Sequence, residues 1–216
     1  MMAHAVTGHR GGDPEQLGHG ETPISERGPA PKRIIVGYGF WIFLLSDFIM
    51  FAAFFAAYAV LSGETAGGPG ARDLFDLRLV AAETGVLLAS SFACGMAGVA
   101  MLARNLRWFQ IAMAVTGLLG TTFLALELYE FAHLIGEGAG PSRSAFLSAF
   151  FALVGCHGVH VALGLVWLTT MMAQAQAKGF RPDIERRVLC FMLFWHALDI
   201  IWVALFTVVY LLGAGL

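Results

Sequence analysis

Three pairs of ionisable residues recur at one spacing in this chain. Glu127 and Glu130 stand three apart, as do His157 and His160, and His196 and Asp199. Residues at i and i+3 share a helix face, so each pair points one way. Asp47, Glu83 and His133 complete a set of nine ionisable side chains embedded in otherwise apolar sequence. Inside a bilayer each costs roughly 2.5 kcal/mol or more, and such groups mark function or a buried partner. Carboxyl groups and imidazoles facing each other across helices would share hydrogen bonds and lower that cost.

Several chemistries compete for these residues. A di-iron carboxylate site takes Glu from two helices and Glu-x-x-His from two more. Glu130-Phe131-Ala132-His133 supplies that motif once, with no second copy. Proton relays use chains of Asp, Glu and His, yet neither the internal repeat nor the broken helices of many transporters are visible. Haem takes axial histidine, and Gly155 and Gly158 would leave room beside His157. The remaining reading is structural: polar pairs that lock helices together in a larger assembly, each membrane hydrogen bond contributing about 0.6–2 kcal/mol.

The elements that must carry these groups are long apolar runs. They extend over Ile34–Leu61, Leu79–Leu102, Trp108–Ile135, Ala145–Ala177 and Val188–Leu212. Each reaches the ~20 residues that a span requires. With 58% apolar and 13% charged residues, against roughly 25% charged in soluble domains, the expectation is an all-α integral membrane bundle of five transmembrane helices. Asp47 then lies ~20 Å along the first helix, at a middle depth like that of His160 and Asp199. The connections alternate in charge. Arg10, Arg27, Lys32, Arg33, Arg104, Arg107, Lys178, Arg181, Arg186 and Arg187 fall on one side, and Arg72, Arg78 and Arg143 on the other. Basic loops face the cytoplasm, which predicts a cytoplasmic N-terminus and a periplasmic C-terminus.

Residues 1–33 read as a polar cytoplasmic tail too poor in apolar residues to fold, and 34–213 as the membrane domain. Acidic Asp13, Glu15, Glu21 and Glu26 precede the first run, which is too long for a cleaved leader and is expected to remain as an anchor. His4, His9 and His19 in the tail lack the positioning that a metal site needs. Cys94, Cys156 and Cys190, odd in number and far apart, indicate neither a disulfide framework nor zinc. No basic stripe suits nucleic acid. Gly67-Gly68-Pro69 and Gly138 to Pro141 mark turns. Small residues at Ala53/Ala57, Gly117/Thr121 and Gly158/Ala162 are candidate close-approach points between helices, and Trp41, Trp108 and Trp202 are candidate interface anchors.

Four of these segments carry a resemblance. Gly155-Cys156-His157-Gly158-Val159-His160-Val161 resembles the Gly-x-His-Gly-x-His-Val motif of haem–copper oxidase subunit III, and Trp195-His196-Ala197-Leu198-Asp199-Ile200-Ile201-Trp202 its Trp-His-x-x-Asp-x-x-Trp motif. Glu127-Leu128-Tyr129-Glu130 resembles the family's paired-glutamate helix, and Ser46-Asp47 its Ser-Glu or Ser-Asp position. The likeness covers Tyr38 to Gly213. Five spans instead of seven, Asp47 in place of glutamate, the Gly67-Gly68-Pro69 loop, SAFLSAFFALVGCHG over 144–158 and the ending FTVVYLLGA are similar to the ubiquinol-oxidase branch.

The resemblance implies a non-catalytic subunit of a proton-pumping terminal oxidase in a bacterial inner membrane. It implies no cofactor in this chain, haems and copper in partner subunit I, subunits II and IV alongside, and phospholipid in a cleft between helices. Support for stability and sustained proton uptake is the implied role. Asp47, Glu83, Glu127, Glu130, His157, His160, His196 and Asp199 would then line or brace that cleft. A subunit III that serves a cytochrome c oxidase is the alternative within the family.

Overall fold

The computed structural model describes residues 32–68 and 70–214. The rest of the polar tail with its three histidines, Pro69 of the first turn and the last two residues lie outside the described residues. Every regular element is helical: α1 Lys32–Leu61, α2 Ala71–Leu74, α3 Leu77–Leu102, α4 Leu106–Gly136, α5 Ala145–Lys178, α6 Pro182–Leu205, a π-helical segment Phe206–Leu211, and α7 Leu212–Ala214. Five of them are long and apolar enough to cross a membrane, with α6 and the π segment forming one span. At 1.5 Å per residue α5 runs ~51 Å, so it tilts or projects beyond a ~30 Å hydrocarbon core.

Sequence and structure agree closely at most helix ends because polar caps lie there. Asp76 accepts the Arg78 N–H at 2.9 Å, Asn105 the Trp108 N–H at 3.3 Å and Ser144 the Leu147 N–H at 3.2 Å, satisfying donors that a helix start leaves free. Two ends are Schellman motifs. At α4, Ala139 N–H reaches the Leu134 carbonyl and Gly138 that of Ile135, with Gly138 at φ 76. At α3 the same pattern joins Asn105 to Ala100 and Arg104 to Met101, but the left-handed residue is Arg104, at φ 57. Glycine is the usual occupant of that position.

One boundary differs from expectation. The last span begins at Pro182 instead of Val188. Pro-Asp-Ile-Glu-Arg-Arg is too charged to read as membrane, yet it suits a first turn: proline at N1 needs no N–H partner, and Asp183 and Glu185 complement the helix dipole. The short α2, between the first turn and α3, also goes beyond the sequence reading.

Helix α3 packs along α4, α4 along α5, and α5 along α6, while α6 returns against α3 and closes the bundle. Helix α1 leans on α5 and α6 and leaves most of its side chains outward. Trp195 and Trp202 of α6, both buried, are seven residues apart and share a face; Tyr210 comes eight beyond Trp202. A π turn closes its hydrogen bonds one residue further on than an α turn, and that one-residue slip returns Tyr210 to the tryptophan stripe. This places Trp202 in the core, not at an interface. Trp41 and Trp108 do lie on the outer surface.

Of the three expected close-approach pairs, two contribute one glycine each: Gly117 lies against Leu168 and Gly158 against Glu127. Ala53, Ala57 and Thr121 face outward. An added Cβ at Gly98 would strike Met192, one at Gly120 or Gly164 would strike Trp195, and one at Gly158 would strike Glu127. These glycines are set by the bulk of α6 side chains and one glutamate, not by mutual contact of small residues.

Candidate functional site

The polar side chains inside the bundle form a ladder whose uprights are α6 and its neighbours. Trp195 Nε1 donates to Ser90 Oγ at 3.1 Å, and Ser90 Oγ donates to the Thr116 carbonyl at 3.1 Å, tying α6, α3 and α4 together. Trp202 Nε1 donates to Thr84 Oγ1 at 3.0 Å. Tyr210 O–H donates to Glu130 Oε2 at 2.9 Å. Each rung joins two helices through an aromatic residue whose ring fills the core and whose polar tip finds a partner.

Glu83, Glu127 and Glu130 are buried and stand within Coulombic reach of one another, so α3 and α4 bring three carboxyl groups into one region. Only Glu130 has a protein partner, Tyr210. Neither oxygen of Glu83 has one, nor does Oε2 of Glu127. A buried polar atom without a partner costs about 1–3 kcal/mol, which makes these carboxyl groups the most demanding feature of the interior. Glu127 presses so closely on α5 that an ideal Cβ at Gly158 would come 2.5 Å from its Oε1.

The histidines separate. His157 is fully buried between Phe123, Trp202 and Phe51. Its Nε2 meets the Leu198 carbonyl at 3.2 Å; a carbonyl only accepts, so Nε2 carries the proton and Nδ1 is left without a partner. His160 turns toward α1, its ring 5.3 Å from that of Phe51, and donates from Nδ1 to the Cys156 carbonyl at 2.7 Å. Half-buried Asp47 lies within Coulombic reach of the Cys156 thiol on that side. His196 shares a 2.7 Å bond with Ser91 Oγ on α3, and Asp199 is half-buried beside it with Oδ1 unpartnered.

The expected facing of carboxyl groups and imidazoles is therefore not what forms. His157 and His160 bond to backbone carbonyls and His196 to a serine, because carbonyls one turn away or on the adjacent helix are nearer than another helix's carboxyl. His133, counted among the embedded groups, sits on the exposed last turn of α4, 3.5 Å from Glu137. Glu130 points inward and His133 outward, so the Glu-x-x-His motif does not converge as two ligands of one metal. Among the described residues no three His, Cys, Asp or Glu side chains form a metal-holding group.

Sequence reasoning did not single out Tyr210, Ser90, Ser91, Thr84 or Thr116. The seven-residue recurrence of tryptophan and the Ser-Ser pair were the available signals; the π turn left none.

Residues 30–214 match the family described as Cytochrome c oxidase subunit III. The chain is 53% identical over 179 residues to the "Cytochrome bo(3) ubiquinol oxidase subunit 3" of Pseudomonas putida, covering 81% of this chain and 84% of that one. It is 45% identical over 216 residues to the protein of the same description from Pseudomonas aeruginosa, covering 99% and 100% of the two chains. A "Quinol oxidase subunit 3" of Bacillus subtilis is 42% identical over 177 residues, 82% and 87% of the two.

Proposed function

Because the chain belongs to the cytochrome c oxidase subunit III family, we propose that it is subunit III of a ubiquinol oxidase and works as a non-catalytic part of that complex. The observation that carries this reading is the end-to-end identity with the Pseudomonas aeruginosa subunit. The redox centres then belong to subunit I, and this chain braces it within a bacterial inner membrane. The internal geometry suits a brace: aromatic rungs from α6 fix the spacing of α3 and α4, and the outward apolar side chains of α1 are free for partners or lipid. Asp47, His160, His196 and Asp199, only partly buried, are the polar groups best placed to order phospholipid or to steady the helices around it.

The orientation proposed puts the α3–α4 and α5–α6 connections in the cytoplasm. Arg104 ties these two together, donating to the Phe180 carbonyl at 2.8 Å and pairing with Glu185 at 2.5 Å. They are therefore on one side of the membrane and carry most of the loop cations, as the positive-inside rule requires.

The test is purification of the tagged chain in mild detergent, a reduced-minus-oxidised spectrum with metal analysis, and turnover with quinol and with reduced cytochrome c. Haem and copper should arrive with partner chains and be missing from this chain when it is stripped alone, and quinol should be the donor. Haem or iron retained by the isolated chain overturns the non-catalytic reading. Turnover with cytochrome c alone assigns the chain to a cytochrome c oxidase.

A further inference from the structure

A groove of about 350 Å³ opens between α4 and α5 on the outer face of the bundle. Its rims, Leu128 and Val159, are 58% and 59% exposed on the outer surface of the bundle. Phe131 forms one wall and Gly155 and Gly158 the floor, where an added Cβ would approach Phe131 or Glu127. Glu127 lines this groove from inside. It is 1% exposed; its Oε2 is enclosed without a partner, and its Oε1 is the oxygen nearest the Gly158 floor.

We propose that this groove binds a quinol, with a ring hydroxyl donating to Glu127 and the apolar tail leaving between Leu128 and Val159. This rests on the assignment to a quinol-oxidising complex made above. The occupant follows from four features of the site. The carboxyl oxygen at the glycine floor, Glu127 Oε1, calls for an O–H or N–H donor. Glu127 lies six residues below the exposed imidazole of His133 on the same helix, ~9 Å deeper, where a charged lipid headgroup would have to enter hydrocarbon at a cost of several kcal/mol; the donor is therefore neutral. The aromatic wall and glycine floor fit a flat ring, and the volume lies in the range of sites for small ligands. The open rims admit a long apolar tail. A quinol has the neutral flat head, the two hydroxyl groups and the tail.

The site would hold quinol in the complex apart from any electron transfer, and no redox step is assigned to it. Gly158 is the positioning residue: lacking a Cβ, it lets the Glu127 carboxyl reach the α5 side of the groove.

The experiment uses the intact purified complex and a ubiquinol analogue with a photoreactive diazirine on its tail. Labelling is expected on this chain within 124–131 and 155–162. It should fall about fivefold in Glu127→Leu, the effect of losing one hydrogen bond, and at least as far in Ala162→Phe, which fills the groove from its edge without touching the interior. Excess short-chain quinol should compete, and phosphatidylethanolamine should not. Unchanged labelling in an Ala162→Phe complex with a normal haem spectrum overturns the proposal. So does equal competition by phospholipid, which makes the groove a lipid site, or an absence of label because a partner chain covers it. Quinol turnover of the unlabelled wild-type complex is read separately. Turnover without groove labelling sinks this proposal alone, and groove labelling without quinol turnover sinks the oxidase assignment alone.

Discussion

Gly120→Ala should destabilise the bundle, and Trp195→Phe should abolish or reverse that cost. The added Cβ would lie 2.8 Å from Cη2 and Cζ2 of Trp195 and 3.2 Å from Leu165 Cδ2, well inside the ~3.5–4.0 Å at which carbon atoms rest. The indole has nowhere to go. Its opposite edge already meets Gly164, where an added Cβ would stand 2.9 Å from Cζ3, and its Nε1 is held by Ser90. Overpacking of this kind costs about 1–3 kcal/mol, reduced by up to ~1 kcal/mol because alanine is the better helix former. Phenylalanine at 195 lacks the atoms that collide. The single change Trp195→Phe should cost about 1–2 kcal/mol, from the lost bond to Ser90 and the void beside Gly120. Adding Gly120→Ala to that background should be neutral or stabilising, so the coupling energy is on the order of 1–3 kcal/mol. The assay is reversible unfolding of the four variants in mixed detergent micelles, followed by tryptophan fluorescence and circular dichroism. Equal costs of Gly120→Ala in both backgrounds would refute the argument that Trp195 sets the distance between α4 and α6.

Other perturbations test other parts of the structure. Tyr210→Phe leaves Glu130 Oε2 buried without its donor and should cost about 1–3 kcal/mol; Glu130→Leu added to it should restore most of that loss in the same unfolding assay. Arg104→Ala keeps a left-handed residue at the end of α3, whereas Arg104→Gly removes a strain of about 1–2 kcal/mol. Both give up an exposed ion pair worth under about 1 kcal/mol, so the glycine variant should be the more stable, and the reverse order would deny that φ 57 is strained. Asp47→Asn should shorten sustained turnover or lower phospholipid content in the purified complex while the haem spectrum stays intact; a lost haem signal in an assembled complex contradicts the brace reading. For orientation, Ala66→Cys and Lys178→Cys should differ in intact cells, with Ala66→Cys reached by an impermeant thiol reagent and Lys178→Cys reached only after lysis. The opposite pattern inverts the topology.

The five spans were legible because hydropathy over twenty residues is a strong signal, and their ends because Asp76, Asn105, Ser144 and Gly179 are ordinary cap and stop residues. The start at Pro182 was hidden by its charges, although proline followed by acids is itself a helix-start pattern. Within the bundle, i,i+3 spacing identified which residues share a helix face but not what lies opposite. Glu127 and Glu130 do both turn inward, whereas His157 enters the core and His160 turns to α1. The facing partners depend on helix rotation, which Trp195 sets through its ring against Gly120 and Gly164, and Trp202 and Tyr210 through their bonds to Thr84 and Glu130. That is a relation between residues up to 118 positions apart, and the π turn that aligns Tyr210 has no periodicity of its own to betray it.

Of the five spans, α6 is the last to leave the ribosome, and it is the one to which the others are bonded. Until it arrives, Ser90, Thr84 and Glu130 sit in the bilayer without their indole and phenol partners, and Gly120 and Gly164 face an unfilled slot. The nascent chain thus spends most of its synthesis as an inserted but unlatched set of helices. Chains halted before Trp195 would leave these polar groups and glycine seams facing the membrane, and arrival of the fifth span covers them. A subunit built this way can conceal the polar groups of its earlier helices only once its fifth span is in place.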